Sequence, residues 1–321
     1  MRPTNFDLFS RRLMQEPPTS GSPIRFVAAL AMLLILDEIG LAQTPAKPQQ
    51  RLVIMNADGT DRRVLVETSE FPSVGSPAVS PDGKRIAFDG WQAGQSSNAS
   101  HIFLMNLDGS GIQDLGDGLM PNWSPDGKRL AISRSAEYGV WLVDVASGEL
   151  TSIEKGGWGI QWSPDGKSVS FTKGSEFYVQ DLATGTRREL LGDASAIISH
   201  VSWNSCWSPD SQRIICMATL KNGQQSIVMI QVAGAQSGQR PMGHVRFLAT
   251  GATFTDFAWH PTQPRVLVGI QRPKTQQFTL YEFHPEIDGP PELFVGPDLN
   301  KRNASGSWTP DGKQLVYVEL D

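Results

Sequence analysis

Trp123-Ser124-Pro125-Asp126-Gly127-Lys128 recurs unchanged as Trp162-Ser163-Pro164-Asp165-Gly166-Lys167. Looser copies surround the pair: Val79-Ser80-Pro81-Asp82-Gly83-Lys84, Trp207-Ser208-Pro209-Asp210-Ser211-Gln212, Trp259-His260-Pro261-Thr262 and Trp308-Thr309-Pro310-Asp311-Gly312-Lys313. Their prolines step along the chain by 44, 39, 45, 52 and 49 residues. A period of this size is the mark of a radial or stacked repeat array. Each copy reads as a tight β-hairpin turn. Its Ser can bond back to the backbone, its Pro presets φ, and its Gly supplies the left-handed conformation of a type I turn with a following bulge. A β-rich run follows each turn, as in Arg85-Ile86-Ala87-Phe88 and Gln314-Leu315-Val316-Tyr317.

Further along each unit lies a third strand, such as Ile102-Phe103-Leu104-Met105, Val140-Trp141-Leu142-Val143 or Phe177-Tyr178-Val179. A Gly-bearing turn and a short fourth strand come next. The first such pair, Leu52 to Ile54 and Arg63 to Val66, precedes any Ser-Pro-Asp-Gly turn, whereas the last unit stops after its second strand, Gln314 to Leu320. A ring in which the two ends share one blade uses both leftovers and hides the open sheet edges. Residues 51–321 divide into six units of about 45 residues, the size of a four-stranded propeller blade. The expected fold is therefore all-β: a six-bladed β-propeller of four-stranded antiparallel blades, with the last blade closed by the N-terminal strands.

The Trp-Ser-Pro-Asp-Gly-Lys turn, with Met-Asn-x-Asp-Gly-[Ser/Thr] two strands on (Met55 to Thr60 and Met105 to Ser110), resembles the propeller repeat of TolB, the periplasmic component of the Tol–Pal envelope system. The resemblance covers residues 51–321. It implies an exported propeller that binds a partner, namely another envelope protein or peptide segment, without chemistry of its own. TolB carries an α/β domain ahead of its propeller, for which this chain has no counterpart before Arg51. The repeat is also similar to those of propellers joined to prolyl-oligopeptidase-type peptidases and of oligogalacturonate lyases. That similarity leaves a second expectation: a channel-mouth enzyme or carbohydrate binder, lyase-like, with a divalent metal.

Residues 1–43 differ from the rest. An Arg-bearing start leads to the apolar run Phe26 to Leu36. At about 1.5 Å per residue this run is too short to cross a bilayer, so the segment reads as a signal peptide or N-terminal anchor, with Gly40 and Ala42 near a cleavage site. Residues 44–50 form a Pro/Gln-rich linker. The expected location is periplasmic or otherwise exported, with membrane contact only through an uncleaved N-terminal segment. The net charge is −5, and the first 43 residues contribute none of it, so the repeats are mildly acidic. Such a balance lacks the basic footprint that nucleic acid requires. The propeller is expected to be a monomer and to need no cofactor.

No Gly-x-Ser-x-Gly elbow occurs, and the five histidines lack the close spacing of a zinc site. The Asn-x-Asp-Gly turns lack the further ligands of a calcium loop. Five tryptophans share one repeat position (Trp123, Trp162, Trp207, Trp259 and Trp308) and read as inter-blade core. The others point to a site. Trp158 and Trp203 are expected in the connections leading into a first strand, with His200 just before Trp203. Trp91 is expected in a long polar loop, Asp89 to Ser100. Those connections would form the channel-mouth face, so Trp91, Trp158, His200 and Trp203 are the candidate binding residues. Cys206 and Cys216 flank the fourth turn. With a register centred on Ser211 they would face each other, which leaves open either a cross-strand disulfide or two buried thiols.

Overall fold

The computed structural model describes residues 50–67, 69–92, 100–232, 244–271, 278–287, 291–294 and 302–320. The N-terminal apolar run and the linker before Gln50 lie outside them. The chain forms six four-stranded antiparallel sheets. Five are consecutive meanders: residues 73–117, 119–155, 157–189, 198–250 and 254–293, blades one to five. Blade six orders its strands as 63–66, 50–56, 314–320 and 302–308, so the N-terminal pair completes the C-terminal pair. The seam runs in register from Gln50 opposite Leu320 to Asn56 opposite Gln314. First strands touch those of both neighbouring blades around a closed ring.

The turn chemistry explains why the motif recurs. Ser80 N donates to Arg85 O (2.8 Å), and Gly83 N donates to Ser80 O (2.8 Å). The Ser80 hydroxyl donates to Asp82 Oδ1 and accepts from Arg85 N (2.9 Å), while Asp82 Oδ1 also accepts from Lys84 N (3.1 Å). Asp82 therefore locks the turn, and the Ser80 hydroxyl and Lys84 amide hold its carboxyl below the usual range. The same bonds recur at Ser124, Ser163, Ser208 and Thr309. The turns also interlock between blades. A Cβ on Gly83, Gly127 or Gly166 would lie 3.4–3.9 Å from the proline of the preceding blade's turn.

Blades four and five depart from this pattern. Ser211 takes the glycine position at φ +57°, a strained conformation for a side chain, and its hydroxyl accepts from Asp165 N (3.0 Å) of the blade-three turn. Ser211→Ala keeps the strain and loses the bond, so it is expected to cost about 1 kcal/mol. Ser211→Gly exchanges one for the other and is expected to be near neutral. Urea unfolding of the two variants reads the difference. In blade five His260 replaces the turn serine. Its Nδ1 accepts from Gln263 N (3.1 Å), which assigns the proton to Nε2 for donation to Gly312 O (3.3 Å). Burial pulls its pKa down and keeps the ring neutral.

Inter-blade packing uses the repeat tryptophans as expected. Trp123, Trp162, Trp207 and Trp308 are buried, and Trp259 is half-buried. Trp123 Nε1 donates to Ala78 O of blade one (3.0 Å), and Trp207 Nε1 to Ser170 Oγ of blade three (3.0 Å). The arginine after a turn covers the next blade's indole: Arg85 over Trp123 (4.8 Å), Arg129 over Trp162 (4.9 Å) and Arg213 over Trp259 (5.4 Å). Each such contact adds cation–π attraction to apolar burial.

The fourth turn corrects the cysteine register. Cys206 stands opposite Ile215, and Cys216 opposite Ser205. The pairing is centred half a step earlier than Ser211, which sends the two side chains to opposite faces of the sheet. Both thiols are free. Cys216 packs with the blade three–four core and Cys206 against the core of blade five. Burial pushes the Cys206 thiol up to about 12 and raises Cys216 as well. Iodoacetamide is expected to spare both in the native state and to label both in urea; a single labelled site, or none, would contradict the register.

Candidate channel-mouth site

Every first strand bulges at the same level. Five of the six gain one residue over their partner strand, between Gly75 and Ala78, Leu119 and Asn122, Trp158 and Gln161, Phe254 and Phe257, and Ala304 and Gly306. In four blades the bulge residue has positive φ: Ser76, Met120, Gly159 and Ser305. A bulge turns backbone N–H groups away from the ladder, and neighbouring blades satisfy them. Met120 N donates to Asp89 Oδ2 (2.7 Å), and Gly159 N to Ser133 Oγ (2.9 Å).

Blade four differs in a way that shapes the surface. From Val201 to Ser205 its first strand spends four steps where the partner spends two, from Ala218 to Cys216. The second extra residue turns Trp203 outward, leaving it 52% exposed between buried Ser202 and half-buried Asn204. Its backbone rests on Gly159 of blade three, where a Cβ would lie 2.5 Å from Trp203 Cβ. On the other side of that glycine, Trp158 stacks on Tyr138 of blade two (5.4 Å, 25°), and Tyr138 is 59% exposed. Tyr138 and Trp158 thus stack across blades two and three, and Trp203 of blade four packs against Gly159, the residue after Trp158, at the end of the propeller opposite the Ser-Pro-Asp-Gly turns.

The candidate residues map unevenly onto this surface. Trp158 and Trp203 come together, but both lie inside first strands (Gly157–Trp162 and Ile198–Trp207) rather than in the connections before them. His200 also lies in that strand, opposite Thr219, and is exposed. Trp91 ends a second strand, Arg85–Trp91, on blade one, apart from the other three; the rest of its expected loop, residues 93–99, lies outside the described residues. Among the described residues no group of three or more His, Cys, Asp or Glu could hold a metal. No helix there is long and apolar enough to cross a membrane. Asp58 and Asp108 spend their carboxylates on Thr60 and Ser110 within the hairpin turns, which disposes of a calcium-loop reading.

Rim charges are paired: Arg134 with Asp117 (3.0 Å), His101 with Asp114 (2.8 Å), and Glu154 with both Lys173 and Arg187 (2.5 Å each). Inside the ring two carboxyls behave differently. Asp89 is nine-tenths buried, and burial raises its pKa against the pull of the Met120 amide and Ser76 hydroxyl. Asp256 Oδ2 accepts a hydrogen bond from Ser305 Oγ, which pulls its pKa down, while burial raises it more strongly. A raised folded-state value means that the stability tied to neutral Asp89 is complete below about pH 4 and is lost as pH rises through the folded value. Asp89→Asn keeps an acceptor for Met120 N. Wild type is expected to lose thermal stability relative to this variant as pH rises from about 4 to about 8; an unchanging difference would refute it.

Comparison with known proteins adds the following. The sequence profile of the TolB beta propeller domain matches residues 41–174. That of the dipeptidyl peptidase IV N-terminal region matches residues 124–241. No curated protein matches the chain significantly. A TolB candidate from Agrobacterium tumefaciens superposes with a TM-score of 0.62 at 20% identity, over 85% of this chain and 99% of that one. TolB from Acinetobacter baumannii gives 0.58 at 16% identity, over 94% and 71%. A chain of a nidogen/laminin complex gives 0.57 at 10% identity, over 84% and 98%. At these identities the structural likeness speaks for the fold.

Proposed function

We propose that this six-bladed β-propeller, whose residues 41–174 match the TolB beta propeller domain, is an exported, non-catalytic interaction platform whose channel-mouth face binds another envelope protein. The reading is supported above all by Trp203, half-exposed beside the stacked pair Tyr138 and Trp158. Large aromatics left in water at the rim of a polar channel are the usual anchors of a protein interface. The turn face offers a contrast, since its tryptophans are sequestered between blades and its tips are small or charged. Affinity capture from a cell-envelope fraction tests the proposal. A partner is expected that is lost with Trp203→Ala and with Tyr138→Ala but kept with Lys128→Ala, which alters an exposed turn. A partner indifferent to both aromatic changes would overturn the assignment of the face.

A further inference from the structure

The ring encloses an axial channel of about 430 Å³ lined by the first strands of all six blades and, toward the turn end, by Pro81, Pro125, Pro164 and Pro261. Its wall mixes apolar and polar groups. Met120 and Pro121 of blade two line it across the ring from Asp256 of blade five; polar Ser76 and Asn122 stand on blades one and two, and Phe257 and Trp259 on blade five. Among the described lining residues Asp256 is the only charged one, and no Lys, Arg or His shares the wall with it. Its hydrogen-bond donor, Ser305, is neutral. Asp89 sits behind the wall, and a charge on either carboxyl disfavours one on the other, so Asp89 supplies no compensating cation. Ser205 also lines the channel. It is 6% exposed, and its hydroxyl has no partner. Trp203 lines the same space. Several rim charges are paired with one another; among the described lining residues no cation faces Asp256.

An uncompensated carboxylate in a partly dry cavity favours an incoming cation. The apolar Met120 and Pro121 across from it favour that cation on a hydrocarbon stem. A bare metal ion fits poorly, because among the described residues no group of three or more His, Cys, Asp or Glu converges there. We infer that the axial channel is a specificity pocket for one lysine or arginine side chain of a partner segment, its stem along Met120 and Pro121 and its head on Asp256. Trp203 then covers the backbone or stem at the entrance, where an indole face adds cation–π attraction. This inference rests on the mouth-face reading and adds the chemistry of what enters it.

The test uses capped pentapeptides, acetyl-Gly-Pro-X-Pro-Gly-amide, with X as lysine, arginine, norleucine or glutamate, titrated calorimetrically into the full-length protein. Lysine and arginine peptides are expected to bind about tenfold or more tighter than the norleucine peptide. That advantage should shrink with added salt and vanish in Asp256→Asn, while the norleucine peptide binds both proteins alike. Thermal melting confirms that Asp256→Asn folds. Binding that ignores X, a lysine preference that survives Asp256→Asn, no binding by any of the four, or saturation by calcium or a neutral oligosaccharide alone would each overturn it. Repeating the envelope capture with Asp256→Asn separates the two proposals. A partner lost with Trp203→Ala but fully retained with Asp256→Asn keeps the mouth face and removes the pocket.

Discussion

Glu319→Ala is expected to lower stability by about 3 kcal/mol, or roughly 6 °C in Tm for a domain of this size. Glu319 is fully buried in the closing blade, yet it meets two arginines from the N-terminal strands, Arg51 (3.6 Å) and Arg62. Both are at least two-thirds buried. Removing the carboxylate leaves two cations in a place that water reaches poorly. Breaking a buried pair costs more than the pair ever contributed, because the stranded charge keeps its desolvation penalty. The arginines retain some exposure, and Arg51 also reaches Glu67 (3.4 Å), so the cost should fall at the lower end for such changes. Glu319→Gln keeps the volume and part of the hydrogen bonding and should lose less. Equal loss for the two variants, by urea unfolding, would mean that charge plays no part in the seam.

Gly159→Ala should cost about 2–4 kcal/mol, combining a left-handed backbone with overpacking. Gly159 has φ +66°, and an added Cβ would lie 2.5 Å from Trp203 Cβ and 2.6 Å from Trp203 O. Gly174 provides the control: φ is +61°, and nothing lies within 4 Å. Gly174→Ala therefore measures the backbone term alone, about 1 kcal/mol. The difference between the two variants reads the contact of blade three with Trp203 of blade four. A zero difference would mean that Trp203 moves aside freely. In that case the aromatic surface would be no preformed platform.

These two positions show what was legible in the sequence. The fold could be read because its turns demand particular residues: Pro for φ, Gly for the left-handed position, Asp to accept the Ser hydroxyl and the Lys amide. The closing exchange could be read because one strand pair stood alone at each end. The mouth could be read only in outline. Trp203 is exposed because blade four carries a second extra residue, and Val201-Ser202-Trp203-Asn204-Ser205 holds no Gly or Pro to announce it. Tyr138 occupies an ordinary hairpin tip, and nothing local links it to Trp158. Asp89 and Asp256 acquire their shared character only once the ring brings blades one and five to one axis. The cysteine pairing failed by half a step, since the turn's own hydrogen bonds, not its central residue, set the register.

The exchanged strand in blade six also dictates an order of events during synthesis. Residues 50–56 emerge first among the repeats, yet their partner, residues 314–320, emerges last. Until then Leu52 to Ile54 pairs with residues 63–66 on one side only, and its other edge stays open. Closure of the ring thus waits for residues 314–320, with the slow kinetics that such distant pairing brings, although the five meander blades pair only with their own neighbours in sequence.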